Sequence, residues 1–323
     1  DNTFASPALC RPVEHGADAV WESTTKWIHG SGTTVGGVVV DGGAFPWDHP
    51  DADYPELAGE NPAFGVDFSE RFGEEALTHA LRQRGLRPLG AQQTPFDAWA
   101  TLQGLETLDL RMDRHCENAR IVAEHLVDHP EVAWVTYPGL ADHPTHDNAA
   151  RYLDDFGGML AFGLEGGFSA GKQFCEAVDL TGFVANVGDA RTLVIHPAST
   201  THAQLSEAEQ RAAGVSPDLL RLSVGLEEPE DIVDDTLSFT DAECLAVAEQ
   251  RGERLITDDA HLGEIAVQRS NVVVWDLLLF LEACVTDGHI MTPAELSSII
   301  EALQTKDYYR FSQADTERLY DSL

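Results

Sequence analysis

Lysine is the residue that this sequence lacks most clearly. The 323 residues include only three lysines, Lys26, Lys172 and Lys306, and 20 basic residues stand against 55 acidic ones. A formal net charge of -35 argues against general binding to nucleic acids or anionic membranes, because both are polyanions. Since 43% of the residues are hydrophobic, the composition is that of a folded acidic protein and not of a disordered acidic tail.

The acidic residues are spread along the whole chain. Such a surface is typical of a salt-adapted, halophilic protein, in which high ionic strength screens the repulsion between like charges. The alternative is an acidic face for one basic partner, which the even spread of the acids disfavours.

Cysteines are few, and long apolar runs are absent. The five cysteines are widely spaced and form no C-x-x-C motif. This usage predicts reduced and mostly buried thiols in a cytoplasmic protein. No secretory signal and no run of about 18 apolar residues is present, so we expect no membrane association.

One of the three lysines lies in a distinctive run, residues 22–37, with the sequence E-S-T-T-K-W-I-H-G-S-G-T-T-V-G-G. A lysine amine can form a Schiff base with an aldehyde, and its pKa falls readily when it is desolvated. Neighbouring hydroxyls and glycine amides are the groups that bind a phosphate. The run therefore predicts pyridoxal phosphate as a cofactor, in preference to a surface lysine in a Ser/Thr loop.

The motif Ser23-x-Thr25-Lys26, with the run D-N-T-F-A-S-P at residues 1–7, resembles the Cys/Met-metabolism family of pyridoxal-phosphate enzymes. The similarity is closest to its O-acetylhomoserine sulfhydrylase branch. The resemblance implies that Asp1 pairs with the pyridine nitrogen, that Ser23 and Thr25 bind the phosphate, and that Lys26 is the catalytic, cofactor-bonded residue. A carboxylate at the pyridine nitrogen keeps it protonated, which makes the ring an electron sink.

Two further runs resemble the substrate end of the family's site. The run L-R-L-S-V-G-L-E at residues 220–227 matches the family's final strand, which implies that Arg221 binds the substrate carboxylate. A guanidinium suits this role because its fork matches a carboxylate bidentately. The run N-V-G-D at residues 186–189, followed by H-P-A-S-T-T-H at residues 196–202, resembles the segment that lines the substrate end, and Asn186 is the candidate for a second carboxylate contact. His196 and His202 are interpreted as structural, because the lysine is better placed for proton transfer in this family.

The resemblance covers residues 1–235 and implies an α/β fold, the second part of an aspartate-aminotransferase-like (type I) pyridoxal-phosphate fold. Residues 1–115 are expected to be part of the cofactor-binding large domain, and residues 116–235 the C-terminal α/β domain. Residues 41–90 are expected to form mostly a polar surface loop, which ends in a helix-prone segment from Phe72 to Arg84. The pattern predicts strands at 132–137, 159–164 and 219–224 and a helix near 169–178. Apolar residues at helical spacing predict a core-facing stripe on one long helical stretch: Phe96, Trp99, Leu102, Leu105 and Leu108.

The tail, residues 236–323, alternates predicted helices and strands and resembles the C-terminal part of a PIN-like nuclease domain. Asp241 and Glu243 open a predicted helix, and Asp258 and Asp259 end a predicted strand. Carboxylates at these places would hold Mg²⁺ or Mn²⁺. Acids are also favourable at helix starts without a metal, and the first strand of a PIN domain is not visible. We therefore expect an incomplete PIN-like module used for packing or interaction, in preference to an active nuclease.

The implied reaction belongs to methionine biosynthesis: O-acetylhomoserine and sulfide give homocysteine and acetate by γ-replacement. The family's segment before the D-N-T-F run is not in the sequence. We therefore expect weak cofactor binding unless a complementing N-terminal fragment or another subunit of a homo-oligomer covers the site. Two alternatives stay open: an inactive or fragmentary chain that serves assembly, and a metal-dependent ribonuclease in the tail.

Overall fold

A computed structural model describes residues 1–51, 54–60, 64–237, 254–256, 273–286, 289–290, 292–306 and 313–322. Contacts within the chain divide it into two units, Asp1–Thr236 and Leu237–Leu323. The finer division of the first unit near residue 115 stays a prediction.

The first unit mixes short helices and strands. Its α-helices are α1 (Ser6–Leu9), α2 (Phe68–Phe72), α3 (Ala76–Leu81), α4 (Arg87–Leu89), α5 (Pro95–Leu105), α6 (Leu108–Asp128), α7 (His146–Tyr152), α8 (Gly167–Ala177), α9 (Glu207–Ala212) and α10 (Pro229–Leu237). Its strands are β1 (Ala19–Glu22), β2 (Val38–Asp41), β3 (Val132–Thr136), β4 (Met159–Leu164), β5 (Gly182–Phe183), β6 (Leu193–Ile195) and β7 (Leu219–Ser223). The strands predicted near 132, 159 and 219 and the helix near 169 are thus confirmed within about two residues.

The main sheet has the strand order β3-β4-β7-β6-β5, and β1 pairs separately with β2 in an antiparallel ribbon. Strand β7 lies at the centre, antiparallel to both β4 and β6. Side chains alternate between the two faces of a strand. Leu220 and Leu222 are fully buried on one face, so Arg221 and Ser223 point together to the other.

The turn that carries Lys26 is packed onto α6. Trp27 and Ile28 lie in one apolar cluster with Leu108, Met112 and Cys116. Trp27 is fully buried, and a buried tryptophan contributes a large apolar area. This packing fixes the backbone next to Lys26 against the longest helix of the unit.

The expected core stripe on one long helix is confirmed at Leu108, which is buried at the start of α6, but it is wrong in two respects. The helical stretch breaks between α5 and α6, and Phe96, Trp99 and Leu102 are 69%, 56% and 58% exposed within the described chain. The side of α5 that packs inward is made of small residues instead. Gly104 is so close to His29 that an added Cβ would lie 2.3 Å from its carbonyl oxygen.

The helix-prone segment predicted from Phe72 to Arg84 is confirmed by α3, but the expectation of a mostly polar surface loop at residues 41–90 is incomplete. This segment contains α2, α3 and a small core of its own, with Leu57, Phe68, Ala76 and Ala80 buried. Turns separate these hydrophobic residues in the sequence, so no regular spacing indicated that they pack in one cluster.

The second unit contains the parallel pair β8 (Leu255–Ile256) and β9 (Val274–Trp275) and the helices α11 (Leu277–Thr286), α12 (Pro293–Lys306) and α13 (Gln313–Asp321). Its core includes Leu281, Leu296, Ile300 and Leu319. The four acids predicted to bind a metal, Asp241, Glu243, Asp258 and Asp259, lie outside the described residues. Among the helices that are described, none combines the length and apolar character needed to cross a membrane.

Candidate active site

Lys26 sits in a tight helical turn that follows β1. The amide of Lys26 donates to the Ser23 carbonyl at 3.2 Å, and the Gly30 amide donates to the Lys26 carbonyl at 2.8 Å. The buried Trp27 anchors the next position in the cluster on α6. The backbone of the lysine is therefore held at both ends of the turn.

The Lys26 amine lies close to Asn186 and Arg221, the two residues that the sequence predicts at the substrate end of the site. Nζ donates a short hydrogen bond to Oδ1 of Asn186. The Arg221 guanidinium donates from Nη2 to the backbone carbonyl of Asn186 at 3.2 Å. The structure thus brings Lys26, Asn186 and Arg221 together across 160 and 35 positions of sequence.

The surroundings of this group lower the pKa of the lysine amine. Burial lowers the pKa of Lys26, and the positive charge of Arg221 lowers it further. Burial also lowers the pKa of Arg221, and the guanidinium makes no ion pair within the described residues. A lowered pKa suits an amine that exchanges protons with a substrate, and a nearby guanidinium without an ion pair suits the binding of a carboxylate.

The segment that carries Asn186 is fixed by β7. The Gly188 amide donates to the buried Ser223 hydroxyl at 2.9 Å. Gly188 has a φ of +71°, and an added Cβ would lie 2.6 Å from the Trp27 nitrogen and 3.0 Å from the Lys26 Cβ. Only glycine allows this approach, so Gly188 and Ser223 join the substrate end to the lysine turn.

A second contact docks the same segment onto the end of the turn. The Ala190 amide donates to the Gly30 carbonyl at 2.7 Å. The neighbouring Asp189 is buried and accepts hydrogen bonds from Arg191 at 2.9 and 3.0 Å. Burial alone would raise the pKa of Asp189, but the bonds from Arg191 lower it, so the carboxylate is ionised.

The two hydroxyls expected to bind a phosphate differ in their surroundings. The Thr25 hydroxyl accepts from the Gly36 amide at 3.0 Å and donates to the Gly36 carbonyl at 3.3 Å. It therefore ties the glycine-rich run to the turn. The Ser23 side chain makes no hydrogen bond with any residue that the structure describes, and it is half-buried.

Asp1 lies at the start of a segment that is fastened to β1. The Asn2 side chain donates to Oε1 of Glu22 at 2.7 Å, and the Ser23 amide donates to the Thr3 hydroxyl at 2.9 Å. Burial raises the pKa of Glu22, while the bond from Asn2 opposes that rise. The Asp1 carboxylate is exposed and accepts from the Thr3 amide, so its other oxygen is open to a ligand.

The two histidines of the substrate segment, His196 and His202, make contacts with neighbouring groups of the chain. His196 is fully buried, and its ring nitrogens contact the Ser199 hydroxyl and the Pro217 carbonyl, each at 2.8 Å. His202 contacts the neighbouring Thr201 hydroxyl at 2.9 Å. These contacts fit the structural interpretation of both.

The donor set fits a cofactor with an aldehyde, a phosphate and a ring nitrogen. Lys26 supplies a half-buried amine of lowered pKa, Ser23 a hydroxyl without a partner among the described residues, and Asp1 an open carboxylate. No group of three or more histidine, cysteine or acidic residues suited to a metal occurs in the described ranges.

The chain belongs to the family of Cys/Met metabolism PLP-dependent enzymes, whose profile matches residues 1–239. It is similar to the homocysteine synthase of Schizosaccharomyces pombe, at 48% identity over 73% of this chain and 56% of that protein. It is also similar to O-acetyl-L-homoserine sulfhydrylase 1 of Thermus thermophilus, at 50% identity over 72% of this chain and 55% of that protein.

Solved structures agree with this fold. A Campylobacter jejuni structure assigned as an O-acetylhomoserine (thiol)-lyase, which holds a pyridoxyl-lysine monophosphate, matches with a TM-score of 0.68 and 35% identity over 74% of this chain and 57% of that one. The chain thus spans little more than half the length of the relatives it matches. The comparisons give no support for the PIN-like interpretation of the tail.

Sequence reasoning missed Gly188, Ser223, Asp189 and Arg111 as parts of the site. The first three lie inside the runs that carried the resemblance, but only the fold shows which neighbour each one contacts. Arg111 lies in α6 and donates to carbonyls of the lysine turn. An arginine within an amphipathic helix gives no sequence signal for such a contact.

Proposed function

We propose that this chain provides the lysine and the carboxylate-binding residues of an O-acetylhomoserine sulfhydrylase. In the reaction, the bond between the γ-carbon and the acetoxy oxygen breaks, and acetate leaves with the electron pair. The sulfur of sulfide supplies the pair for the new bond to the γ-carbon, which gives homocysteine. The observation that carries this proposal is the contact of Lys26 with Asn186, which Arg221 also holds.

Lys26 is proposed to move the protons. Its pKa is lowered by burial and by Arg221, which increases the neutral fraction of the amine. The neutral Nζ can accept the proton from the substrate α-carbon, and the ammonium formed can return a proton during the later steps. The amide oxygen of Asn186 keeps Nζ oriented while it is free.

Arg221 is proposed to bind the substrate carboxylate. One N–H of its fork is used by the Asn186 carbonyl, and the others make no hydrogen bond within the described residues. Charge-assisted, bidentate bonds from these groups would orient the amino acid with its α-carbon toward Lys26. The side-chain amide of Asn186 is the proposed second contact.

The cofactor contacts are proposed for Lys26, Asp1, Ser23 and Thr25. Pyridoxal phosphate, when bound, supplies an electron sink for the negative charge at the substrate α-carbon. Asp1 would keep the proton on the ring nitrogen, and Ser23 would donate to the phosphate. Thr25 already bonds to Gly36, so its part is shared between the phosphate and the glycine-rich run.

The partners of the proposed enzyme are O-acetylhomoserine, sulfide and further copies of the chain. The apolar stripe on α5 includes Trp99, which is 56% exposed. Association of copies of the chain through this stripe would remove its apolar surface from water. Light scattering at several protein concentrations tests the assembly separately from catalysis.

The test of function is sulfide-dependent release of homocysteine from O-acetylhomoserine, with pyridoxal phosphate supplied in large excess because weak binding of the cofactor is expected. The wild-type chain and a Lys172→Ala control should be active, because Lys172 lies on α8 with its side chain 56% exposed. Lys26→Ala should abolish the product, and Arg221→Met should raise KM for the amino acid more than it lowers kcat. Product formation that is equal in Lys26→Ala and wild type would overturn the proposal.

A further inference from the structure

Arg111 on α6 reaches back to the turn that carries Lys26. Its Nη1 donates to the Trp27 carbonyl at 2.7 Å, and its Nη2 donates to the Ile28 carbonyl at 3.2 Å. The same Nη2 donates to the carbonyl of Gly104 at the end of α5, at 2.8 Å. One guanidinium thus bonds the two residues after the lysine and the adjoining helix end.

The charge of Arg111 is used differently from that of several other arginines in the described ranges. Within the described chain it forms no ion pair, whereas Arg11, Arg114, Arg120 and Arg191 each pair with a carboxylate. Burial lowers the pKa of Arg111. Its counter-charges are the carbonyl oxygens at the end of a helical turn, which carry partial negative charge.

The backbone around the guanidinium is shaped to admit it. Gly30 has a φ of +80°, and an added Cβ would lie 2.3 Å from Nη1 of Arg111. Nε of Arg111 donates to the Thr107 hydroxyl at 3.1 Å, which fixes the plane of the fork from the other side. A fork held in one plane sets the directions of both carbonyls that it binds.

We infer that Arg111 is a positioning residue for Lys26, because it fixes the turn from which the amine reaches Asn186. The turn is short, so a rotation of the carbonyls of Trp27 and Ile28 also rotates the neighbouring Cα–Cβ bond of Lys26. The contact between Nζ and Asn186 then depends on the guanidinium. The catalytic meaning of this role rests on the proposed function, but the placement of the amine does not.

The scarcity of lysine makes the role measurable without the cofactor. With only three lysines in the chain, the rate of acylation of each amine can be followed against pH by peptide mapping. Only the neutral amine reacts, so the rate reports the pKa of Lys26, and the other two lysines serve as internal references. The variants are Arg111→Met, which removes the fork and the charge, and Arg111→Lys, which keeps the charge and removes the fork.

The matched control is Val122→Ala. Val122 is fully buried on the same helix, 11 positions or about 16 Å along the axis from Arg111. This change lowers stability by creating a cavity, without touching the lysine turn. Urea unfolding of each variant shows whether the losses of stability are comparable.

We expect the pKa of Lys26 to rise in both Arg111 variants, because the loosened amine regains water. Each unit of rise lowers the labelling rate at neutral pH about tenfold. The pKa in Val122→Ala should equal that of wild type. A rise in Arg111→Met alone would assign the effect to charge and overturn the positioning role.

An unchanged pKa of Lys26 in both variants, with stability lowered as in Val122→Ala, would also overturn the inference. If Arg111→Met does not fold, Arg111→Lys decides alone, and an unchanged pKa there has the same meaning. Binding of pyridoxal phosphate is measured on the same samples. A shifted pKa in the variants with no cofactor bound by wild type would sink the proposed function and leave the positioning role standing.

Discussion

At the scale of the residue, the site depends on close approaches that single atoms would block. Gly188 contacts the backbone of Lys26 and Trp27, and His115 lies fully buried beside the Trp27 ring at 4.6 Å between centroids. Both residues support the lysine turn.

Gly188→Ala should weaken both the fold and the cofactor site. The added Cβ would lie only 2.6 Å from the backbone nitrogen of Trp27. The left-handed backbone conformation itself costs alanine about 1–2 kcal/mol. Gly214→Ala is the control, because Gly214 has a φ of +78° and no atom near its Cβ position. Urea unfolding and titration with pyridoxal phosphate measure both effects. Equal losses in the two variants would show that the contact with the lysine turn is unimportant.

His115 should make stability depend on pH. Burial lowers its pKa from 6.5 to about 4, so the folded state resists protonation. The neutral imidazole of His115 therefore contributes fully to the free energy of unfolding above pH 6.5. This contribution is lost progressively as the pH falls toward 4, by up to about 3 kcal/mol. The test compares unfolding free energies of wild type and His115→Asn between pH 7 and 4. Parallel pH profiles would contradict the assignment.

At the scale of the element, β7 carries two polar side chains on one face, and both hold the segment at residues 186–189. Arg221 bonds to Asn186, and Ser223 bonds to Gly188. The strand therefore sets the distance between the proposed carboxylate-binding residues and the lysine turn.

Ser223→Ala should release this segment. The buried Gly188 amide would lose its acceptor, at a cost of about 1–3 kcal/mol. Hydrogen exchange at residues 186–190 should become faster than in wild type. Ser216→Ala is the control, because Ser216 lies in the turn before β7 and makes no side-chain hydrogen bond within the described residues. Unchanged exchange in Ser223→Ala would mean that other contacts fix the segment.

The elements of the main sheet were predictable because their patterns are local. Strand β4 matches its predicted bounds, and β7 ends one residue before the prediction. The stripe on α5 was misjudged because helical spacing shows that a face is apolar but not what covers it. Lys26, Asn186 and Arg221 could be named as site residues from motifs. Their contact, and the part played by Arg111, depend on packing between distant segments.

At the scale of the whole molecule, the charge of -35 dominates the behaviour expected in solution. Repulsion among exposed acids destabilises the compact state at low ionic strength. The number of acidic residues is known from the sequence, but the distances between their charges depend on the fold.

Stability should therefore rise with salt. The screening length falls from about 10 Å at 0.1 M to about 3 Å at 1 M salt, so KCl in this range should raise the midpoint of urea unfolding. Sorbitol at matched osmolality is the control for effects other than screening. A midpoint that is independent of KCl would show that the negative charges are too far apart to repel one another appreciably.

The central claim is that Lys26 is the amine that holds the cofactor, and borohydride fixation tests it most directly. The chain is mixed with less than one equivalent of pyridoxal phosphate at high salt, reduced, digested and mapped across its three lysines. The account predicts that the pyridoxyl group is found on Lys26, with Lys172 and Lys306 unmodified. A pyridoxyl group on Lys172 or Lys306, with Lys26 unmodified, would contradict it.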